Sequence, residues 1–322
     1  DAMPQPVPSD LHVDTLLSHV LIGYQNATYI ADDLFQVVPV MKQSDKIPAF
    51  NQSFWFRDDA HPRAPGNASR GGGYTVDTSA SYFCNRWSRR FEIPDDLRRN
   101  ADPIFGNLDG DATEFIGDKL LMRREVAFAT DFFTTGVWTT DKVGATDFTK
   151  WSDYGGSNPI VDVDSWKDTV EALIGIEPMH IAIGKQVWVQ VKNHPQFMDR
   201  IKYTQRAQMS VELAASLLEL TRLVVGRSIY TTTLEGTAEG SVTYTRIWGK
   251  HALLLYRSEG VPSLMKPTAG MTFVWAVVPN ALQYVKRMRN EEREIDIIEG
   301  NSYFDQKVTA ARAGLFAQNV VA

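Results

Sequence analysis

The residues able to do chemistry are few, and they stand apart. The six histidines are His12, His19, His61, His180, His194 and His251, and none pairs with another His or a Cys at the short spacing of a zinc site. His12 and His19, seven apart on one face of an expected helix, read as surface residues. His194 precedes Pro195 and reads as the start of a helical turn rather than as a base. Cys84, the single cysteine, follows Tyr82 and Phe83, a setting for a buried thiol rather than a nucleophile. No serine stands in a Gly-x-Ser-x-Gly elbow, and Gly71-Gly72-Gly73 lacks the Lys-Ser/Thr of a phosphate loop. Asp109 and Asp111 begin like a calcium loop, but Leu120 stands at the twelfth position where a Glu is required, so they read as helix-capping acids. The expectation is no catalytic, cofactor-binding or metal-ligating residue: not an enzyme, and no cofactor. The competing reading, an enzyme with its site in the α/β stretch 160–278, lacks any convergent set of acid, base or metal ligands.

The totals exclude further classes. With 43% hydrophobic and 22% charged residues over 322 positions, the chain is a folded protein with a sizeable core. Thirty-three basic residues against 39 acidic give a net charge of −6, which argues against general attraction to nucleic acid or to an anionic membrane. No run of about 18 apolar residues is present, so no membrane-spanning helix is expected. One cysteine rules out an intrachain disulfide and fits a reducing cytosol. The chain opens on Asp1 rather than Met, and processing, trimming or engineering upstream is expected. Residues 1–10 lack the basic and apolar regions of a signal peptide.

The elements that would position any site are clearer. The strongest is one long helix from Asp109 to Gly136, with acids in its first turn, no proline, and Thr134-Thr135-Gly136 as its stop. Phe115, Met122, Val126, Ala129 and Phe133, widened by Ile116, Leu120, Leu121, Ala127, Phe128 and Phe132, make an apolar stripe over more than half its circumference. Before it, a short amphipathic helix is expected at 11–25, a strand at Val37–Met41, and a short helix at Pro94–Ala101. After it, 160–278 alternates between helix and strand, as a compact α/β domain does. Gln283–Asp305 reads as two long strands of an antiparallel sheet, with 291–299 dense enough in charge to suit an exposed edge. Lys307–Ala322 reads as a strand plus tail.

Residues 46–93 read as a long hairpin. Two strand-like runs, Ile47–Phe56 and Tyr74–Phe91, flank a proline- and glycine-rich middle from His61 to Gly73. About 15 residues per strand would make an arm near 50 Å long. Its aromatics, among them Phe54, Trp55, Phe56, Tyr82, Phe83 and Trp87, are too much apolar area for an isolated hairpin to leave wet. It either folds back on its own domain or lies on another subunit. The arginine groups Arg86/Arg89/Arg90, Arg98/Arg99 and Arg123/Arg124 are expected to pair with the acidic strand 291–299 of the same or a neighbouring subunit. The candidate inter-subunit contacts are therefore Phe54, Trp55, Arg57, Arg63, Tyr74, Arg86, Arg89, Arg90, Glu291, Glu292 and Glu294.

The order of these parts resembles the major capsid proteins of tailed bacteriophages, the Hong Kong 97-type fold shared in outline with encapsulins. Local wording carries the resemblance: Ala31-Asp-Asp-Leu-Phe-Gln-Val-Val-Pro-Val40, Trp55-Phe-Arg-Asp58, Arg63-Ala-Pro65, Gly71-Gly-Gly-Tyr74 and Ile93-Pro-Asp-Asp-Leu-Arg98 are similar to its arm and loop segments. Leu121-Met-Arg-Arg-Glu125, Asp199-Arg-Ile-Lys-Tyr-Thr204, Val225-Gly-Arg227, Gly249-Lys250, Leu253-Leu-Leu255 and Ile298-Glu-Gly300 are similar to its spine helix, axial domain and later strands. The resemblance implies an α+β chain with an N-terminal arm at 1–45, an extended loop at 46–93 and a peripheral domain at 94–150 and 279–310 holding a spine helix at 111–135. It further implies an axial α/β domain at 151–278 and a C-terminal tail at 311–322. It implies a self-assembling structural protein whose hexamers and pentamers close an icosahedral shell around double-stranded DNA without sequence-specific binding. Scaffolding, portal and decoration proteins are the implied further partners, no membrane is involved, and the virion capsid, assembled in the host cytoplasm, is the implied location. An encapsulin-type compartment holding protein cargo is the alternative.

Overall fold

In a computed structural model, the described residues are 29–47, 49–50, 53, 56–69, 71–100, 108–201, 209–234, 237–258, 268–277 and 283–322. The helix expected at 11–25, and with it His12 and His19, lies outside them, as do Phe54 and Trp55. In chain order the elements are α1 (Ala31–Leu34), β1 (Gln36–Val40), β2 (Ser44–Lys46), β3 (Ala49–Phe50), β4 (Val76–Asp77), β5 (Ser81–Phe83), β6 (Asn85–Pro94), α2 (Asp95–Asn100) and α3 (Leu108–Phe132). There follow β7 (Thr140–Val143), α4 (Pro159–Ile174), β8 (His180–Gly184), α5 (Lys185–Asn193), α6 (Pro195–Ile201), α7 (Val211–Leu217), β9 (Arg222–Gly226), β10 (Ile229–Tyr230) and β11 (Thr245–Arg246). The last are β12 (Ala252–Leu255), β13 (Gly270–Trp275), β14 (Tyr284–Asn290), β15 (Ile295–Val308) and β16 (Gly314–Gln318).

Helix α3, 25 residues and so roughly 37 Å long, is the axis of the chain. Its start is as expected, with Asp109 and Asp111 in the first turn. It stops at Phe132 rather than running on toward Gly136, because the Trp138 indole N–H donates to the Phe132 carbonyl at 2.8 Å and folds the chain back. Gly136 sits in that reversal at φ +85°. The buried line runs through Ala112, Ile116, Leu120, Phe128 and Phe132; Phe115, Met122 and Val126 are exposed or half-buried.

A first five-stranded sheet lies against this helix, in the order β1-β13-β15-β14 with β6 on the other side of β15. Strand β15, 14 residues long, is central and antiparallel to β6, β13 and β14. The expected antiparallel pair from Gln283 onward is β14 and β15. The expected exposed edge is corrected: 295–299 is interior, and Glu291, Glu292 and Glu294 occupy the turn between β14 and β15. Side chains alternate across the sheet: Ile298 and Gly300 face α3, over a core of Ile93, Ala112, Ile116, Leu120 and Val285, whereas Glu299, Asn301 and Tyr303 face away.

The second sheet has the order β7-β16-β12-β8-β9. Every residue of β8 and β12 is buried, as a strand covered on both faces requires. Helices α4–α7 supply the rest of its core, with Val163, Trp166, Val187 and Phe197 inside. Three expected boundaries are crossed. Residues 311–322 are no tail, since β16 lies inside this sheet between β7 and β12 and Leu315, Phe316, Val320 and Val321 are buried. β7 belongs to this sheet rather than to the unit before 150, and β13 belongs to the first sheet rather than to the 151–278 unit. Strand partners distant in sequence leave no trace in a local pattern.

The hairpin is also shorter than expected. Among the described residues only β2 with β5 and β3 with β4 pair within it. Residues 57–69 contain no strand and are exposed, because prolines at 62 and 65 and Gly66 at φ +88° break a ladder. The later half of the second expected run is β6, which joins the first sheet through ten register pairs with β15.

Candidate inter-subunit surfaces and a buried junction

The face of the first sheet turned away from α3 is only half covered. The base of the loop lies over one half, where Tyr82 stacks on Phe273 at 4.5 Å and Val38, Val40, Ile47, Trp275 and Tyr303 pack around them. Cys84 sits here fully buried, its Sγ 3.6 Å from the Phe273 carbonyl. Burial pushes its thiol up to about 11, which makes it inert toward nucleophilic chemistry. Over the other half lies an open groove of about 430 Å³ lined by Ser88, Arg89, Arg90, Glu92 and Glu299. Arg86 Nη2 pairs with Glu299 at 2.6 Å, and Glu92 is shared by Arg90 at 3.2 Å and Arg293 at 3.3 Å. Arg89 has no ion pair among the described residues. Arg89 stands opposite Gly300 and so alternates to the α3 side, which leaves Arg86, Arg90 and Arg293 against two carboxylates on this face, a basic patch on an acidic chain.

On the helix-facing side the charges form a closed corner. Asp296 takes Arg98 at 3.0 Å, Arg287 at 3.2 Å and Arg289 at 3.4 Å. Asp109 takes Arg98 at 2.7 Å and Arg287 at 3.5 Å. The Arg289 guanidinium on Asp95, at 2.5 Å, holds that carboxyl below its ordinary range. The expected pairing of arginines with 291–299 therefore holds within the chain for Arg86 and Arg98. It fails for Arg99, which pairs with Asp95 and Asp96, and for Arg124, which pairs with Asp32 at 2.7 Å. Arg123 lies over the Trp87 ring at 4.3 Å.

The junction of α3 with the second sheet is organised by a residue that sequence reasoning passed over. Glu125, fully buried, accepts four donors from three separate segments. The Ala31 N–H reaches Oε2 at 2.8 Å and the Ile30 N–H reaches both oxygens at 3.0 and 3.1 Å. The Ser228 hydroxyl donates to Oε1 at 3.1 Å and the Trp248 indole N–H at 2.5 Å. Trp248 reaches in because Gly226 has no side chain, and a Cβ there would collide with the indole. Burial outweighs the four donors and pushes this carboxyl up to about 7. Around it Asp33 pairs with Arg222 at 2.7 Å and accepts Arg257 on its carbonyl, and the Tyr29 hydroxyl donates to Asp118 at 2.8 Å. The signal was in the sequence: Glu125 falls four after Leu121 and three before Phe128, inside the apolar stripe.

One pair has the look of a catalytic dyad. Ser157 Oγ lies 3.0 Å from His194 Nε2, both buried. However, His194 Nδ1 accepts the Gln196 N–H at 3.2 Å, so its proton is on Nε2, while the Ser157 hydroxyl donates to the Asp153 carbonyl at 2.6 Å. The imidazole therefore cannot take the serine proton, and it caps α6 as its place before Pro195 suggested. Among the described residues no three His, Cys, Asp or Glu side chains gather as a metal site, and no helix is long and apolar enough to cross a membrane.

No family model matches the chain. It is 24% identical over 314 residues to the major capsid protein of Burkholderia phage BcepMu, covering 96% of each chain. It is 25% identical over 339 residues to that of Pseudomonas phage JBD67, covering 96% of this chain and 97% of the other. Among solved structures, a phage-related protein from Bordetella bronchiseptica RB50 superposes with a TM-score of 0.73 at 21% identity, over 96% of this chain and 98% of that one. The capsid of cyanophage P-SCSP1u superposes at 0.57 and 11% identity, over 98% and 95%. The chain has the Hong Kong 97-type fold. The SrpI encapsulin of Synechococcus elongatus has the same fold at a TM-score of 0.52 and 10% identity, over 97% and 98%.

Helix α3 stands where the spine helix was expected, and the expected contact residues fall into three groups. Arg86 and Arg90 share the face of β6 turned away from α3, whereas Arg89, opposite Gly300, alternates to the other face. Arg57, Arg63 and Tyr74 are exposed on the extended loop. Glu291, Glu292 and Glu294 form the tip of the β14–β15 turn, where Glu291 pairs with Arg289 at 3.4 Å and Glu292 and Glu294 have no ion pair among the described residues. The loop does not stand wholly free of its own chain: the Phe56 ring lies against Gly175, at the end of α4, with 63% of the residue still exposed.

Proposed function

We propose that this chain is the major capsid protein of a tailed double-stranded DNA bacteriophage, and that its hexamers and pentamers close an icosahedral shell around the genome. The observation that carries the reading is the half-covered outer face of the first sheet. A chain with Phe56, Tyr74, Val76 and Phe83 each more than 40% exposed on or beside one loop has apolar area that a second copy would bury. Copies meeting loop to face form a heterologous contact, which closes into rings. The names of the sequence relatives support the same reading. In it the spine helix and first sheet form the peripheral domain, the second sheet with α4–α7 forms the axial domain, and residues 46–83 are the loop that reaches a neighbour. Arg57, Arg63 and Tyr74 on the loop, the β6 arginines and the 291–294 turn are its contact residues.

The net charge of −6 suits a container that does not grip DNA, so packaged genome is held without sequence-specific contacts. Scaffolding, portal and decoration proteins are the further partners, and assembly takes place in the host cytoplasm, leaving the subunit in the virion capsid. The test is the composition of particles formed in an infected or induced host. Double-stranded DNA in nuclease-treated particles containing this chain is the expected result. A protein cargo in place of DNA would turn the reading to an encapsulin-type compartment.

A further inference from the structure

Glu125 is a buried ionisable group held between three segments, one of which is the entry of the N-terminal arm. Residues Ile30, Ala31, Leu34 and Phe35 are buried against the spine helix and second sheet, and the Ile30 and Ala31 amides are fixed by this one carboxylate. The four groups bonded to it are all neutral, so nothing bonded to Glu125 cancels its charge. The charged groups on the surrounding elements are engaged with one another. On the arm, Asp32 pairs with Arg124 and Asp33 with Arg222. On the spine helix, Arg124 also lies over Phe304 and Asp118 accepts Tyr29. On the strands beyond, Arg257 donates to the Asp33 carbonyl, and His251 packs on Phe133 and Phe316. Arg227 is exposed and Lys250 half-buried.

We propose that Glu125 is a proton-operated latch: when neutral it fastens residues 29–35 to helix α3 and the second sheet, and when ionised it loosens them. Ser228 can serve either form. Its hydroxyl donates to the carboxylate at 3.1 Å, and by rotating it accepts the carboxyl proton instead, leaving Oε2 to hold the Ala31 and Ile30 amides. Ionisation returns an unpaired charge to a dry site, and opening the arm to water relieves it. By linkage, docking weakens with rising pH between the free value of about 4.5 and the docked value of about 7, by roughly tenfold per pH unit.

The test is amide hydrogen exchange of the 29–35 peptide in the full chain at pH 5.2 and 7.5, corrected for the intrinsic pH dependence of exchange. Protection at least tenfold stronger at pH 5.2, with the spine helix unchanged, is the expected result. Glu125→Gln should make arm protection equal at the two pH values. Ser228→Ala, which removes one of the four donors that favour the ionised form, should shift the change to higher pH; it serves alone if Glu125→Gln does not fold. Wild-type protection that is constant or stronger at pH 7.5, or variants with the wild-type pH dependence, would overturn the proposal. The measurement reads the arm of the single subunit, so its outcome is separate from whether shells form.

Discussion

Gly300 of β15 lies directly beneath Ile116 of the spine helix, so close that a Cβ at position 300 would collide with Ile116 Cγ2. This contact sets how near the helix comes to the central strand, and both flanking core residues, Leu120 and Ile298, are closed in behind it. Gly300→Ala should therefore destabilise the chain by about 1–3 kcal/mol through overpacking. Gly71→Ala, where a Cβ meets nothing within 4 Å, should change stability by less than about 0.5 kcal/mol. Urea unfolding of the two variants beside wild type checks the difference; equal midpoints would show that the helix is free to lift.

The C-terminal strand makes a second prediction. Phe316, 1% exposed, packs on Phe133 at 5.3 Å inside the second sheet. Phe316→Ala should cost about 3–5 kcal/mol, and a chain ending at Ala310 should fail to accumulate as a folded protein. A soluble, cooperatively unfolding truncation would contradict the interior place of β16.

The histidines give the chain an acid limit. Burial pushes both His194 and His251 below their ordinary value. A lowered histidine contributes stability that is complete above about pH 6.5 and is lost as pH falls below it, because the unfolded chain takes up the proton first. Glu125, raised, acts with the opposite sign between about 4.5 and 7. The comparison that isolates the histidine is His194→Asn, which keeps an acceptor for the Gln196 amide. Its loss of thermal stability from pH 7.5 to 5.5 should be smaller than that of wild type, and an equal loss would remove His194 from the account.

The β6 arginines separate folding from assembly. Arg90→Glu should leave the unfolding midpoint within about 0.5 kcal/mol of wild type, since exposed pairs such as Arg90 with Glu92 contribute little. The same variant should abolish closed particles, because charge reversal at an interface puts like charges together. Particles in normal yield would mean that the groove beside β6 is not a contact.

What the sequence disclosed followed physical range. The spine helix was legible because its acids, its stripe and its missing prolines all act within a few turns. The β14–β15 pair was legible from alternation. The Hong Kong 97-type fold was legible only from the order of the parts, since no single motif decided it. Strand β16, by contrast, is a short apolar run, Gly314-Leu-Phe-Ala-Gln318, that any buried sheet would accept, and its partners β7 and β12 lie far away in the chain. Among the expected contact residues, Arg86 and Arg90 share one face of β6 while Arg89 alternates to the other, a split that clustering in the sequence alone does not reveal. Glu125 was missed because its helix position was read for hydrophobicity, and an acid inside an apolar stripe was not taken as a demand for partners.

The most direct test compares the full-length chain with a variant lacking Asp58–Ser69, both purified and imaged by cryo-electron microscopy at matched concentration. The account predicts closed angular shells for the full-length chain and, for the variant, folded subunits or open capsomers with an unchanged circular dichroism spectrum. Normal closed shells from the deletion variant would contradict the role given to the extended loop, and the absence of shells from the full-length chain at any protein concentration or salt would contradict self-assembly itself.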